Sequence, residues 1–116
     1  MFVAYVVVTV LMVAVLLGSA AGKLTRQPKL VEAIESVGLS PDRLPQLATL
    51  EILGAVGLLV GFAVPLIGIA AAVGVVGYFI GAVFFHVRAG HTAEVTAPAI
   101  LLLVAVIALV LRLATM

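Results

Sequence analysis

The sequence predicts an all-α integral membrane protein: a bundle of four transmembrane helices with a short amphipathic helix between the first two. Of its 116 residues, 66% are hydrophobic and 9% are charged, whereas about a quarter of the residues in a soluble domain are charged. The apolar runs are continuous and do not alternate with period two, which favours helices over strands. Helices also satisfy their backbone hydrogen bonds internally, as a bilayer requires.

Four apolar segments are long enough to cross a membrane: residues 2–22, 46–63, 65–87 and 95–115. Each contains 18 to 23 residues, which at 1.5 Å per residue rise roughly 27–35 Å. With their connections they predict a single domain over residues 1–116. No Lys or Arg precedes Lys23, so we expect the first segment to be a retained span and not a secretory signal.

The connections between the spans differ. In the connection 23–45, Pro28 suits the first turn of a short amphipathic helix and Gly38 suits its stop. Such a helix would lie on the membrane surface or cover the end of the bundle. The second and third spans meet at Pro65, which fits the first turn of a helix, so a tight antiparallel hairpin is expected there.

The distribution of positive charge predicts the orientation. Five of the six Lys and Arg residues lie in the connections 23–45 and 88–94, and only Arg112 lies on the opposite side. Because positive residues stay on the cytoplasmic side, both connections are expected to be cytoplasmic and both termini exterior.

Composition also excludes several function classes. The net charge is +1, so no basic surface for nucleic acid is expected. The chain has no cysteine, which excludes a disulfide, a thiol redox centre and a thiolate metal site within it. His86, His91 and Glu94 have a spacing that matches no strong ligand pattern, and we predict no metal site.

Five polar or charged side chains lie where a lipid-facing helix could least tolerate them: Lys23, Glu51, Tyr78, His86 and Arg88. Glu51 lies about one turn inside an apolar segment, and an intramembrane carboxylate usually faces a protein interior and marks a functional site. Since successive spans alternate in direction, Lys23, Glu51 and His86 are expected near the same membrane face.

Helical spacing places Glu51 on one stripe with Gly54, Leu58 and Gly61, a stripe that is expected to face another helix. Two roles remain open for this carboxylate. It is either a structural partner of Lys23 that fixes helix register, or a group that handles protons or anchors a ligand. We predict the second role.

We accordingly assign Glu51 and His86 as candidate catalytic residues and Lys23, Tyr78 and Arg88 as candidate ligand-binding residues. The alternatives are snorkelling of Lys23 and Arg88 to headgroups, an interfacial role for His86, and simple packing for Tyr78.

Glycines four residues apart permit close helix contacts: Gly18 with Gly22, Gly57 with Gly61, and Gly77 with Gly81. These contacts are expected inside the bundle, with a seam between two copies of the chain as the alternative.

Four short strings resemble the DoxX-like family of small four-span membrane proteins: GSAAGKL at 18–24, VGLS at 37–40, LEILGAVGLLVG at 50–61 and AVFFHVRAG at 82–90. The resemblance implies a four-helix membrane bundle in the bacterial inner membrane, with the family's polar positions falling on Lys23, Glu51, His86 and Arg88. Relatives in this family are associated with a thiosulfate:quinone oxidoreductase, with membrane thiol-stress complexes and with receptor assembly.

We therefore predict an intramembrane polar pocket that binds a lipophilic ligand such as a quinone, in or beside a membrane redox system with a redox-protein partner. One alternative is a self-sufficient membrane enzyme of the isomerase or epoxide-opening type that uses Glu51 as acid and base. The other is a non-catalytic membrane assembly partner or chaperone.

Overall fold

The computed structural model describes residues 2–26, 28–36, 38–90 and 96–115. The helices, in chain order, are α1 (Phe2–Leu24), α2 (Pro28–Ser36), α3 (Leu44–Val60), α4 (Pro65–Arg88) and α5 (Thr96–Ala114). A single 3-10 turn, Pro41–Arg43, leads into α3. The predicted all-α fold class is confirmed for the part of the chain that these ranges cover.

The four long helices form a ring in which neighbours are antiparallel. Helix α1 packs against α3 and α5, and α4 packs against the same two helices, so α1 and α4 lie on one diagonal. Lys23 at the end of α1 contacts Glu51 near the start of α3. At the other end, the Tyr5 ring lies against Phe62, just after α3, and against Arg112 in the last turn of α5.

Three of the described helices, α1, α4 and α5, are long and apolar enough to cross a membrane, and α3 is a shorter apolar helix of 17 residues. The second span was predicted at 46–63, whereas α3 begins at Leu44 and ends at Val60. Residues 61–63 form a turn in which the N–H of Phe62 donates to the carbonyl of Leu59, and Val64 then has an extended backbone (φ −123°, ψ 95°), as expected for a residue before proline. The predicted connection 88–94 falls largely on residues 91–95, which lie outside the described residues.

The predicted amphipathic helix is present as α2. Val31 and Ile34 are half-buried, whereas Glu32 and Glu35 are exposed. Gly38 follows with φ +86°, a left-handed conformation that glycine adopts without strain, and its N–H donates to the carbonyl of Glu35 at 3.1 Å. The helix therefore stops where the glycine predicts.

Apolar side chains cover both the inside and the outside of the bundle. The core contains residues from all four long helices: Met12, Val13, Leu16, Ala55, Leu58, Ala72, Val75, Phe79 and Ala105. Large apolar side chains such as Val3, Leu66 and Leu103 are exposed on the outer surface. A soluble protein rarely exposes so much contiguous apolar surface, and here it is the surface that meets lipid.

Glycines hold α3 and α4 close together at the hairpin. A Cβ atom at Gly61 would lie 3.0 Å from the backbone N of Gly68, and one at Gly57 would lie 2.6 Å from the Cβ of Ala71. The predicted helix contacts of Gly57 and Gly61 are thus confirmed. Lipid provides no hydrophobic drive for helix association, so such close packing is what joins the two helices.

The same prediction is wrong for Gly18, Gly77 and Gly81. A Cβ at any of these positions would meet nothing within 4 Å. For Gly77 and Gly81 the reason is that their face of α4 is turned away from α3, since it is Gly68, Ala71 and Val75 that meet the α3 glycines. A small residue every fourth position in an apolar helix does not by itself identify the packed face.

Candidate functional site

A buried ion pair joins α1 to α3. The Lys23 Nζ donates to Glu51 Oε1 at 2.7 Å, and the two side chains are 11% and 2% exposed. Lys23 lies in the last turn of α1, and its Nζ also donates to Ser19 Oγ, one turn earlier, at 2.6 Å. Lys23 therefore points into the bundle and pairs with the carboxylate, and it does not snorkel to the membrane surface.

Burial of this pair has a desolvation cost that the attraction between its charges must offset. Removing both charges from water costs several kcal/mol per ion, and a buried pair is often no more stabilising than apolar residues of the same volume. Apolar residues could fix the register of α1 against α3 without that desolvation cost. The pair is consequently a candidate for a role beyond stability.

A cavity of about 320 Å³ lies beside the pair, between α3 and α4. Its wall is largely apolar and includes Leu16 of α1. The ionisable side chains in the wall are Glu51 and Tyr78. The residues that line it are Leu16, Leu50, Glu51, Leu53, Gly54, Ala71, Gly74, Val75 and Tyr78. A mostly apolar cavity with a few converging polar groups is the usual form of a small-molecule site.

Tyr78 faces the carboxylate across this cavity. Glu51 lines it from α3 and Tyr78 lines it from α4, and the Tyr78 ring packs edge-to-face on Phe79 with centroids 5.3 Å apart. A phenol can donate one hydrogen bond and accept others, whereas an ionised carboxylate only accepts. The two groups together can therefore bind a ligand carbonyl and a ligand hydroxyl.

The antiparallel register of α3 and α4 explains why these two residues meet. Gly61 lies against Gly68, Gly57 against Ala71, and Gly54 against Val75. One further turn from the hairpin places Glu51 level with Tyr78. There the glycines of α3 give way to larger side chains, and the interhelical space becomes the cavity.

His86 and Arg88 lie apart from this centre. His86 is two turns beyond Tyr78 on α4, and its Nδ1 is 2.8 Å from the carbonyl oxygen of Ala82. Arg88 is exposed at the end of α4. Neither belongs to the residues that line the cavity. The sequence predicted only that His86 and Glu51 lie near the same membrane face. In the structure, the register of α3 against α4 puts His86 about 12 Å along α4 from the level of Glu51. His91 and Glu94, considered with His86 for a metal site, lie outside the described residues.

A second polar cluster, which the sequence analysis missed, lies at the opposite end of the bundle. Arg112 is only 5% exposed, and its guanidinium carbon is 4.6 Å from the centroid of the Tyr5 ring. Three buried polar atoms have no hydrogen-bond partner among the described residues: Nε and Nη1 of Arg112 and Oγ1 of Thr9. Arg112 shares the buried stripe of α5 with Ala105 and Ala108, and the sequence signal for it was a charged side chain inside an apolar segment.

The family model of the DoxX-like family matches residues 7–108, or 102 of the 116 residues. The chain belongs to the DoxX-like family. It is a small integral membrane protein of that family. No curated protein and no solved structure matches it. The matched part of this DoxX-like chain contains Lys23, Glu51 and Tyr78, whereas Tyr5 and Arg112 lie outside it.

Proposed function

We propose that this DoxX-like protein binds a lipophilic ligand in the cavity between α3 and α4, with the polar end of the ligand on Glu51 and Tyr78. The observation that carries the proposal is the cavity of about 320 Å³ placed directly beside a buried Lys23–Glu51 pair. Its size is at the lower end of the range for small-molecule pockets, roughly 300–1,000 Å³. It therefore suits a compact head group.

A quinone head group fits the polar groups present. A carbonyl oxygen of the ring could accept from the Tyr78 hydroxyl, and a ring hydroxyl of the reduced form could donate to Glu51. A bound quinone would supply reversible uptake of electrons and protons. Lys23 would hold the carboxylate in place and offset its charge while Glu51 accepts a hydrogen bond from the ligand.

Electrons for such a reaction would have to come from another protein. The chain has no cysteine, so a thiol couple within it cannot supply them. We therefore place the protein in or beside a membrane redox system, with a redox-protein partner, in the bacterial inner membrane. We also propose that the connections 23–45 and 88–94 lie on the cytoplasmic side, which the positive residues Arg26, Arg43 and Arg88 support.

An isomerase or epoxide-opening enzyme is the second candidate. The observation in its favour is that Glu51 and Tyr78 face the same cavity from opposite helices, as an acid and base pair would. In this case Tyr78 takes the role of the polarising group, because His86 does not line the cavity.

Binding measurements on matched variants test the proposal. The protein is reconstituted in nanodiscs and titrated with a benzoquinone that carries an alkyl tail. Glu51→Gln and Tyr78→Phe are each expected to weaken binding at least about tenfold, the effect of losing one good hydrogen bond to a charged or buried group. The controls are Glu35→Gln, on exposed α2, and Tyr5→Phe, at the other end of the bundle. Equal affinity in all four variants would refute the proposed site.

A further inference from the structure

The cavity beside Glu51 opens on the outer face of the bundle. Leu50 and Leu53 line it from α3 and are 56% and 62% exposed. Gly74 lines it from α4, is exposed, and has open space where a side chain would project. These three residues border an opening between the two helices, and all three are apolar.

Among the described residues, the sides of the bundle that α3 and α1 form at the end nearest to Glu51 are closed by comparison. Leu44 and Ala48 precede Glu51 on the same buried stripe of α3, and both have no exposed surface. The ion pair with Lys23 closes the side toward α1. A ligand coming from the water at this end would have to displace buried apolar side chains, whereas one coming from the lipid would not.

We propose that the ligand enters and leaves sideways from the bilayer, through the opening at Leu50, Leu53 and Gly74, and that it is a single-headed amphiphile. Its polar head lies against Glu51 and Tyr78, and its apolar tail remains in the lipid along the outer faces of α3 and α4. A cavity of about 320 Å³ holds a head group but not a long tail. This inference rests on the proposed function, and it adds the route and the chemical class of the ligand.

Two glycines of α4 provide a matched pair of variants. A Cβ at Gly74 or at Gly77 would meet nothing within 4 Å, but only Gly74 lines the cavity. Gly74→Leu is therefore expected to fill the opening without disturbing the fold, and Gly77→Leu adds the same side chain to the outer surface just outside it. Both variants are expected to melt at or above the temperature of the unmodified protein.

The probe is a benzoquinone with a long alkyl tail that ends in a photoreactive group, dissolved in the nanodisc bilayer. Gly74→Leu is expected to weaken its binding at least tenfold, while Gly77→Leu binds as the unmodified protein does. Photolabelling of the unmodified protein is expected on α3 and α4. Unchanged binding in Gly74→Leu, or labels confined to α1 and α5, would overturn the lateral route. Unchanged binding in Glu51→Gln would instead overturn the proposed polar anchor, and failure of the unmodified protein to bind would overturn both.

Discussion

Substitution of Gly61 by alanine tests the close contact that positions the cavity. The new methyl group would lie closer to the Gly68 Cα than van der Waals contact allows, and 3.0 Å from its backbone N. Both are backbone atoms, so no flexible side chain can move aside and the helices must separate. Overpacking of this kind costs about 1–3 kcal/mol. Because Gly61 has a helical backbone (φ −60°), alanine relieves up to about 1 kcal/mol of helix propensity cost. The expected net loss of unfolding free energy is about 1–2 kcal/mol.

Gly77→Ala is the control for that substitution. The chemical change is the same, but its Cβ would meet nothing within 4 Å, so only the propensity gain of about 0.5–1 kcal/mol remains. The unfolding free energy of each variant can be measured in micelles by circular dichroism during titration with a denaturing detergent. Gly61→Ala should lose stability and Gly77→Ala should gain it. Equal stability of the two variants would refute the packing described for α3 and α4.

Three further predictions concern the ion pair, the topology and the second polar cluster. Glu51→Gln should lower the unfolding free energy by about 2 kcal/mol while leaving a folded bundle, because the amide still accepts a hydrogen bond but leaves the buried Lys23 without a counter-charge. Adding Lys23→Met should restore most of the lost free energy. The absence of any recovery in the double variant would show that the two charges are not coupled. In intact cells, Glu35→Cys should resist a membrane-impermeant thiol reagent and Ala63→Cys should react, and the reverse pattern would invert the topology. Arg112→Met should unfold at the same free energy or up to about 1 kcal/mol higher, since an apolar side chain replaces a buried charge, and a loss above about 2 kcal/mol would reveal a partner for the guanidinium besides the Tyr5 ring.

Composition and length determine the fold of this chain almost completely. Continuous apolar runs of bilayer length permit few folds other than a helical bundle, and local signals such as Pro65 and Gly38 place helix boundaries to within a few residues. The inward direction of Glu51 was also predictable, because a carboxylate in an apolar helix is stable only beside a protein partner. A pair with Lys23 was one of the two roles that the sequence left open for Glu51, and the structure shows that pair.

What the sequence could not supply was the register between helices. Membrane depth alone placed His86 near Glu51, yet the contacts of Gly54, Gly57 and Gly61 set a register in which Tyr78 is the residue level with the carboxylate. Likewise Gly81 had the same local pattern as Gly57, and only the relative rotation of the helices determines which glycine is packed. Such facts depend on contacts between distant segments, which a single sequence does not encode locally.

The glycine contact at the hairpin holds the two backbones together, so a tilt of α3 against α4 would turn about it. Gly61, directly after α3, and Glu51 are separated by ten positions, which at 1.5 Å per residue is about 15 Å. A rotation of about 4° around the Gly61–Gly68 contact would therefore move α3 and α4 apart by about 1 Å at the level of Glu51, while the hairpin itself hardly moved. The width of the opening thus depends on the angle between α3 and α4 at the contact of the two glycine backbones. Small changes in bilayer thickness or in the tilt of either helix would be magnified at the cavity.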